Sequence, residues 1–259
     1  MSDRVSITVT DQIADVRLTR GDKMNAIDPA MFEGIGATID ALAERKDVRC
    51  VVLSGEGKAF CAGLDMASMA AGGSGTGAER NEQGSILPQH VTLGWRNLPM
   101  PVIAAVHGVA FGGGFQIMSG ADIRIAAPGT RFAIRETYWG LVPDMAGFPI
   151  WRGLVRDDVL RELVYTAREF DASEALRHGF VTRIADDPHA AAMDMARAIA
   201  ARSPHAIRGA KRLCNAAHDM DERALLELET TEQIAVIGKP NMLEAVAANM
   251  GKRAAIFVD

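Results

Sequence analysis

The chain has 259 residues, of which 48% are hydrophobic and 24% charged, and its formal net charge is −5. This composition is typical of a globular protein with one large domain, with or without an appendage. The acidic balance and the lack of a basic stripe argue against nucleic acid as a partner. No apolar run reaches the roughly 18–20 residues that span a bilayer, so we expect no membrane partner.

The N-terminus and the cysteines indicate the compartment. The first five residues lack the basic region and apolar core of a signal peptide. Three scattered cysteines, Cys50, Cys61 and Cys214, are odd in number and show no CxxC spacing. We therefore expect reduced thiols in a cytoplasmic protein. The six histidines show no metal-ligand spacing, so no metal site is expected.

The N-terminal part of the chain predicts strands and one helix. Three apolar or alternating runs predict strands: Val5–Thr10, Ile13–Leu18 and Arg49–Leu53. The first two flank a tight turn near Asp11 and Gln12. Asp28 before Pro29 is typical of an N-cap and first helical turn, which predicts a helix to about Arg45.

The middle of the chain predicts a loop and then further strand–helix units. Residues 66–85 are rich in Gly, Ala and Ser, which predicts a mobile loop that could cover a site. A helix over Ile86–Asn97 follows. Further strands are predicted at Val102–Val106, Ile123–Ala126 and Arg131–Ile134, and a helix runs from the glycines at 112–114 to about Gly120. These repeated units predict an α/β body with parallel strands.

Beyond about residue 145 the pattern is mostly helical. Pro188, Pro204 and Pro240 each stand close to a predicted helix start. The last helices carry many apolar residues on a short segment: Leu225, Leu228, Ile234, Val236 and Ile237. We expect this apolar face to pack on a neighbouring subunit.

Two glycine-containing turns each follow an apolar, β-branched run. The first is the segment Phe60–Asp65, with Gly63 at its centre, and the second is His107–Gln116, with three consecutive glycines. Glycine lets the backbone turn tightly and lets a ligand approach the N–H groups. Two such turns side by side can direct two amides at one oxygen, which is an oxyanion hole. Either turn alone is better explained as a strand-to-helix turn that only packs.

These turns are accompanied by the segments Lys23–Ile27, Pro101–His107 and Arg131–Asp144. In this combination the chain resembles the crotonase family, also called the enoyl-CoA hydratase/isomerase family, over essentially its whole length. The resemblance implies a crotonase-like α/β fold, a spiral of ββα turns, with a C-terminal helical region that builds trimers, often paired into hexamers. We place the spiral core at residues 1–195 and the helical oligomerisation region at residues 196–259.

The same resemblance implies an acyl-CoA thioester as substrate, with coenzyme A as part of the substrate and no separate cofactor. It assigns the oxyanion hole to the N–H groups of Leu64 and Gly113. Gly113 also stands at a predicted helix N-terminus, where the peptide dipoles favour negative charge. The thioester oxygen would become an enolate oxygen when the α-carbon loses or gains a proton.

The acid and base residues decide which reaction is expected. The family's hydratases use two glutamates, and the matching positions here are Gln116 and Glu136. A neutral amide can orient water but does not transfer protons usefully. Asp144 matches an aspartate of the family's dienoyl-CoA isomerases, which carry a further acid at the position of Gln116. We therefore assign catalysis to Glu136, Asp144 and Gln116, and we expect apolar neighbours to raise the pKa of at least one acid.

Alternatives stay open for both acids and for the binding residues. Glu136 could be a surface carboxylate paired with Arg135 or Arg131, and Asp144 could be a helix N-cap. We place nine residues in the substrate and coenzyme A site: Lys23, Asn25, Ala26, Ala62, Gly63, Asp65, Gly112, Trp139 and Lys252. Lys252 matches a lysine that reaches a neighbouring subunit's phosphates, although a solvated C-terminal face explains it nearly as well.

The sequence thus predicts an enzyme that acts on acyl-CoA thioesters through a stabilised enolate. Two carboxylates that flank an acyl chain favour double-bond isomerisation. Hydration of a 2-enoyl-CoA with a single glutamate is the main alternative. A thioester-binding paralogue with little turnover is another, and decarboxylation or thioester hydrolysis are further chemistries of the family.

Overall fold

The structure is a computed structural model that describes residues 3–70, 79–82 and 84–259. Its strands are β1 Val5–Thr10, β2 Ile13–Leu18, β3 Cys50–Gly55, β4 Val102–Val106, β5 Val109–Phe111, β6 Ile123–Ala126, β7 Arg131–Ala133, β8 Phe170–Asp171 and β9 Arg183–Ile184. Its α-helices are α1 Pro29–Ala43, α2 Met66–Ala70, α3 Leu87–Asn97, α4 Gly113–Ser119, α5 Gly147–Trp151, α6 Asp157–Thr166, α7 Ala172–His178, α8 Pro188–Ala200, α9 Pro204–Ala216, α10 Glu222–Val236 and α11 Pro240–Met250. Short 3₁₀ turns span Gly21–Lys23 and Glu136–Trp139. Within the described ranges, no helix has the length and apolarity needed to cross a membrane.

A mixed sheet in the order β1-β2-β3-β4-β6-β9 forms the centre of the fold. Strands β1 and β2 pair as an antiparallel hairpin, and the remaining pairs in this sheet are parallel. The hairpin turn places Asp11 and Gln12 at positive φ, as a two-residue type I′ turn requires. A smaller sheet, β5-β7-β8, stands beside the main one.

The main sheet is covered on both faces. One face shares a buried cluster with α8: Ile13, Cys50, Val52, Ile103, Ala105, Ile125, Ala192, Ala196 and Ala200. The other face contributes to the main core together with α1, α3 and α4, including Trp95 and Phe115. Because both faces are buried, β4 is apolar along its whole length and β3 is apolar over its first four residues.

Most predicted elements are confirmed. The bounds of β1, β2, β4 and β6 match the predicted ones, and α1 begins at Pro29 with Asp28 accepting a hydrogen bond from the Met31 N–H at 2.9 Å. Pro188, Pro204 and Pro240 are the first residues of their helices.

Several short elements were not predicted. They are β5, β8, β9, α2 and the 3₁₀ turns at Gly21–Lys23 and Glu136–Trp139, whereas α5, α6 and α7 lie in the region that was predicted only as mostly helical. Helix α2 also corrects the prediction of a loop over residues 66–85, because that segment begins as a helix capped by the carboxylate of Asp65. Residues 71–78 and 83 of the predicted loop lie outside the described residues.

The C-terminal helices leave apolar side chains exposed. All residues of α10, which is fully described, are exposed or half-buried, and α10 packs mainly on α9. Ile234 and Ile237 from the predicted apolar face are more than half exposed, and so are Leu226, Leu243 and Met250. Helix α8 continues without a break across the predicted boundary between residues 195 and 196, and the two-part division stays a prediction.

One glycine between β4 and β5 controls how the chain leaves the main sheet. Gly108 has φ +65°, and a Cβ there would lie 1.9 Å from the carbonyl oxygen of Lys58. We expect Gly108→Ala to destabilise the protein by about 2 kcal/mol or more, since it adds a backbone clash to an unfavourable φ. A thermal melt should show a lower Tm, by about 2–4 °C per kcal/mol.

Gly129→Ala is the matched control for Gly108→Ala. A Cβ at Gly129 meets no atom within 4 Å, and its φ lies outside the left-handed region. We expect its Tm to stay within about 1–2 °C of the wild type. Equal Tm values for the two variants would contradict the role given to Gly108.

Candidate active site

Main-chain pairing brings the two glycine turns side by side. After β3, the N–H of Cys61 donates to Val109 O at 3.1 Å, and the N–H of Phe111 donates to Cys61 O at 3.1 Å. A second contact joins the first turn to the segment before α1, where Ile27 N–H donates to Gly63 O at 2.8 Å. The two turns follow β3 and β4 at the carboxyl ends of parallel strands, the edge where open α/β sheets bind ligands.

The N–H groups of Leu64 and Gly113 are among those that this pairing leaves without an acceptor in the described residues. Leu64 and Ile27 form a parallel β-bridge in which Ile27 N–H donates to Gly63 O and Asp65 N–H donates to Ile27 O. The N–H of Leu64 itself takes no part in this bridge. Gly113 is the first residue of α4, and its N–H has no helical acceptor. Neither N–H donates to an acceptor in the described part of the chain. Both residues line one pocket.

The close approach of the two turns requires glycine. Gly63 has φ +92°, and a Cβ there would lie 2.7 Å from Phe111 O and 3.7 Å from the nitrogen of Gly113. A Cβ at Gly114 would lie 2.4 Å from Cys61 O. Side chains at these positions would push the two N–H groups apart, which explains the glycines that the sequence places in both turns.

Glu136 is the buried acid of this pocket. It opens the 3₁₀ turn after β7 and is 6% exposed. Its Oε1 accepts a hydrogen bond from Gln116 Nε2 at 2.6 Å, while Oε2 is buried with no partner in the described residues. Burial raises the pKa of this carboxyl, and the negative charge of Asp144 raises it further.

The alternative interpretation of Glu136 as a surface ion pair is wrong. Arg131 donates to Glu169 at 2.9 Å, and Arg135 lies 3.8 Å from the same carboxylate. Arg135 also donates to the carbonyl of Ala167 at 3.0 Å. Both guanidinium groups are therefore directed at Glu169 and its surroundings, and the Oε2 of Glu136 has no partner in the described residues.

Gln116 lies beneath Glu136 and is fully buried. Its Oε1 accepts hydrogen bonds from the N–H groups of Met145 and Gly147, each at 3.0 Å. Its side chain is thus bonded to the protein at both the donor and the acceptor end. It is not among the residues that line the pocket, and its assignment to catalysis stays a prediction.

Asp144 is exposed and precedes the segment that Gln116 holds. It does not cap a helix, because the residue before α5 is Ala146, and the N-cap interpretation is therefore wrong. Asp144 does not line the pocket either, but its charge is close enough to raise the pKa of Glu136. The site thus has one buried and one exposed acid on the same side of the fold.

The pocket itself is narrow, with a volume of about 40 Å³. It is lined by Ala62, Gly63, Leu64, Met66, Gly112, Gly113, Arg135, Glu136, Trp139 and Leu141. Trp139 is 53% exposed and therefore stands at the mouth of the pocket. Three of these residues, Met66, Arg135 and Leu141, were not predicted from the sequence. In the sequence, the place of Arg135 next to the predicted catalytic residue Glu136 could have indicated that Arg135 belongs to the site.

The other predicted binding residues lie outside this lining. Asn25 is buried, and its Nδ2 donates to the carbonyls of Glu56 and Ala59, so its side chain supports the turn after β3. Ala26 accepts a hydrogen bond from Arg20, and Asp65 pairs with Arg20 at 2.8 Å. Their roles in binding stay predictions.

Two predicted lysines are exposed and lie in turns. Lys23 ends a 3₁₀ turn, and Lys252 has φ +49° in the turn after α11. Neither lines the pocket, and their contacts with a phosphate stay predictions.

Cys61 is a structural thiol. It is fully buried, its Sγ lies 3.1 Å from Asn25 O, and burial raises its pKa to about 12. A thiol of this kind is not a nucleophile near neutral pH. Trp95 and Trp151 are fully buried and belong to the core rather than to the pocket.

Two unpaired N–H groups beside a buried carboxylate are typical of enzymes that stabilise a developing oxyanion and move protons. The sequence matches the model of the family described as "Enoyl-CoA hydratase/isomerase" over residues 8–259. The chain therefore belongs to the enoyl-CoA hydratase/isomerase family, which confirms the resemblance and the crotonase-like α/β fold.

Some relatives are named isomerases and others are named hydratases. The mitochondrial Delta(3,5)-Delta(2,4)-dienoyl-CoA isomerase of Mus musculus is 31% identical over 96% of this chain and 80% of its own length. An enoyl-CoA hydratase of Mycobacterium tuberculosis is 31% identical over 93% of this chain and 91% of its own. A crystal structure of an enoyl-CoA hydratase from Bacillus anthracis superimposes with a TM-score of 0.89 at 28% identity and covers 98% of both chains.

Proposed function

We propose that this enzyme isomerises a double bond in an acyl-CoA thioester through an enolate. The observation that carries the proposal is that Leu64, Gly113 and Glu136 line one pocket, while the N–H groups of the first two and the Oε2 of Glu136 have no partner in the described residues. The N–H groups would hold the thioester oxygen, and the carboxylate would face the carbon chain next to it.

The proposed reaction begins when Glu136 removes a proton from the α-carbon, which is bonded to the thioester carbonyl carbon and lies next to the double bond. The electron pair of the broken C–H bond moves into the π-system, and the negative charge collects on the thioester oxygen between the two N–H groups. The electron pair then forms a C–H bond at a carbon further along the chain, with a proton from Glu136 itself or from an Asp144 that enters the cycle protonated. In the second case a proton passes from Glu136 to Asp144 through solvent before the next turnover. Substrate and product have the same composition, so no co-reactant is needed.

The raised pKa of Glu136 suits this role. A carboxylate whose pKa is raised is a stronger base and takes a proton from carbon more readily. The exposed Asp144 stands in a different environment, and this difference supports separate roles for the two acids in a proton transfer.

Hydration of a 2-enoyl-CoA is the second candidate function. It is favoured by the relatives and the superimposable structure named enoyl-CoA hydratase. Glu136 would be the only acid to activate water, because Gln116 is neutral and bonded at both ends. We therefore expect hydration to be the slower reaction. A thioester-binding paralogue with little turnover is the remaining alternative.

Absorbance assays with 2-enoyl-, 3-enoyl- and 3,5-dienoyl-CoA separate these candidates. Migration of a double bond changes the conjugation with the thioester, and hydration removes the conjugation. We expect turnover of the 3-enoyl or 3,5-dienoyl thioester. Strong hydration without migration would overturn the isomerase proposal, and binding without any turnover would favour the paralogue.

Asp144→Asn tests the two-acid proton transfer. We expect double-bond migration to fall by on the order of 10²-fold, because one proton carrier is lost, while residual hydration falls less. Asp186→Asn is the matched control, since Asp186 is also exposed and lies outside the pocket. Equal losses in migration and hydration would contradict a specific role for Asp144.

We further propose that the exposed apolar face of α10 and the following turn, which includes Ile234 and Ile237, packs on a neighbouring subunit in a homotrimer or a dimer of trimers. The proposal is supported by the lack of buried residues in α10. Lys252 would then lie near the coenzyme A phosphates of a neighbouring subunit. The unpaired cysteines support a cytoplasmic location.

A further inference from the structure

We propose that Gln116 is a positioning residue that joins Glu136 to the segment carrying Asp144 and so fixes the two acids relative to each other. This inference rests on the proposed function. Nε2 of Gln116 donates to Glu136 Oε1 at 2.6 Å, and Oε1 of Gln116 accepts from the N–H groups of Met145 and Gly147 at 3.0 Å each. One side chain therefore links the 3₁₀ turn of Glu136, helix α4 and the segment that follows Asp144.

Glutamine can donate to Glu136 and accept from Met145 and Gly147 at the same time, and its side chain does not titrate. An ionised glutamate at position 116 could accept from Met145 and Gly147, but it could not donate to Glu136 and would repel it. A protonated glutamate could make all three hydrogen bonds, but the pair would then share one proton. Glutamine keeps the full hydrogen-bond set at any pH where the protein is folded.

The link also selects which oxygen of Glu136 reacts. Oε1 is held by the amide of Gln116, and Oε2 is left buried and unpartnered in the described residues. A carboxylate oxygen that is buried without a partner is costly, and this cost is expected where the oxygen is needed for a substrate proton. The Gln116 contact thus orients the carboxylate with its free oxygen available for chemistry.

Few charges other than Asp144 act on Glu136. Its chain neighbour Arg135 directs its guanidinium at Ala167 O and Glu169. The segments 62–64, 112–119 and 145–147 carry no titratable side chain. Helix α6 packs against the turn of Glu136, but its charged side chains are exposed and pair with arginines: Asp157 with Arg161, Asp158 with Arg156 and Glu162 with Arg168. Burial is thus the largest influence on the pKa of Glu136, and among side chains the hydrogen bond of Gln116 lowers this pKa and the charge of Asp144 raises it.

The test follows the titration of Glu136 directly. Glutamate carboxyl carbons are labelled with ¹³C, and the signal of Glu136 is assigned as the one missing in Glu136→Gln. We expect Gln116→Met to raise the pKa of Glu136, because the donated hydrogen bond lowers it in the wild type. We expect Gln116→Glu to raise it more, because it adds a like charge. Gln233→Met, at an exposed position of α10, should leave it unchanged.

Kinetics on the same variants supply the second readout. We expect Gln116→Met to lower kcat by on the order of 10²-fold with little change in KM, because a misplaced base affects the chemical step. Gln116→Glu can keep all three hydrogen bonds when protonated, so it tests the proposal even if Gln116→Met does not fold.

The two proposals fail in different ways. If the wild type turns over no thioester, the proposed function fails, but the titration still tests the role of Gln116. If Glu136 titrates as in the wild type in both Gln116→Met and Gln116→Glu, the positioning role is overturned, whatever the activity.

Discussion

Glu136→Gln should lower the turnover of an acyl-CoA thioester by on the order of 10²–10⁴-fold, because it removes the buried group that transfers the proton. The amide is nearly isosteric and can still accept the hydrogen bond from Gln116 Nε2. Thioester binding should therefore change little, and the loss should fall on kcat rather than on KM. Steady-state kinetics and a binding titration on the same preparation check both statements.

The thermal stability of Glu136→Gln relative to the wild type serves as a control, because the direction of its change with pH can be predicted. Burial raises the pKa of Glu136 above its unfolded value, so the folded state binds this proton more tightly than the unfolded state. The stability that protonated Glu136 contributes is complete below the unfolded pKa, near 4.5, and is lost as pH rises through the higher folded pKa. The neutral amide introduced by Glu136→Gln does not titrate, so its contribution to stability does not fall as the pH rises.

Glu136→Gln should therefore melt at a higher temperature than the wild type at pH 7, and this advantage should shrink toward pH 4. A variant that is inactive and also less stable at pH 7 would indicate structural damage rather than a lost base. A variant with near-normal kcat would remove Glu136 from the mechanism.

The elements that the sequence predicted well are those with local signals. Strand β4 has an apolar run bounded by prolines and a glycine, and α1 has its cap, Asp28, next to its first proline. Strands β5, β8 and β9 have two or three residues each, and their existence depends on partners far along the chain. No local pattern marks such strands.

The same distinction applies to the site. Glycines in both turns predicted a close approach of two backbones, because a Cβ there would clash. The contacts of Gln116 could not be predicted, because they join it to residues 20, 29 and 31 positions away. The family resemblance gave Gln116 the place of a catalytic acid, and only the fold shows that both ends of its side chain are already bonded to the protein.

Gly113→Pro should lower kcat/KM by on the order of 10²–10³-fold, because it removes one of the two N–H donors proposed for the thioester oxygen. The position makes this substitution informative. Gly113 is the first residue of α4, where proline is favoured and where the lost N–H has no helical acceptor. The helix should therefore form in the variant, and circular dichroism and a thermal melt can verify that it does.

Gly113→Ala separates the lost donor from the added side chain. Both variants add a Cβ that would lie 2.9 Å from the Cδ1 of Ile27 and 2.9 Å from the Sδ of Met145, which are flexible side-chain ends that can move. Alanine keeps the N–H, whereas proline replaces its hydrogen with the ring Cδ, so the activity ratio of the two variants measures the loss of the donor together with the blocking of its position. Equal losses would assign the effect to crowding, and full activity in Gly113→Pro would mean that no oxyanion is held there.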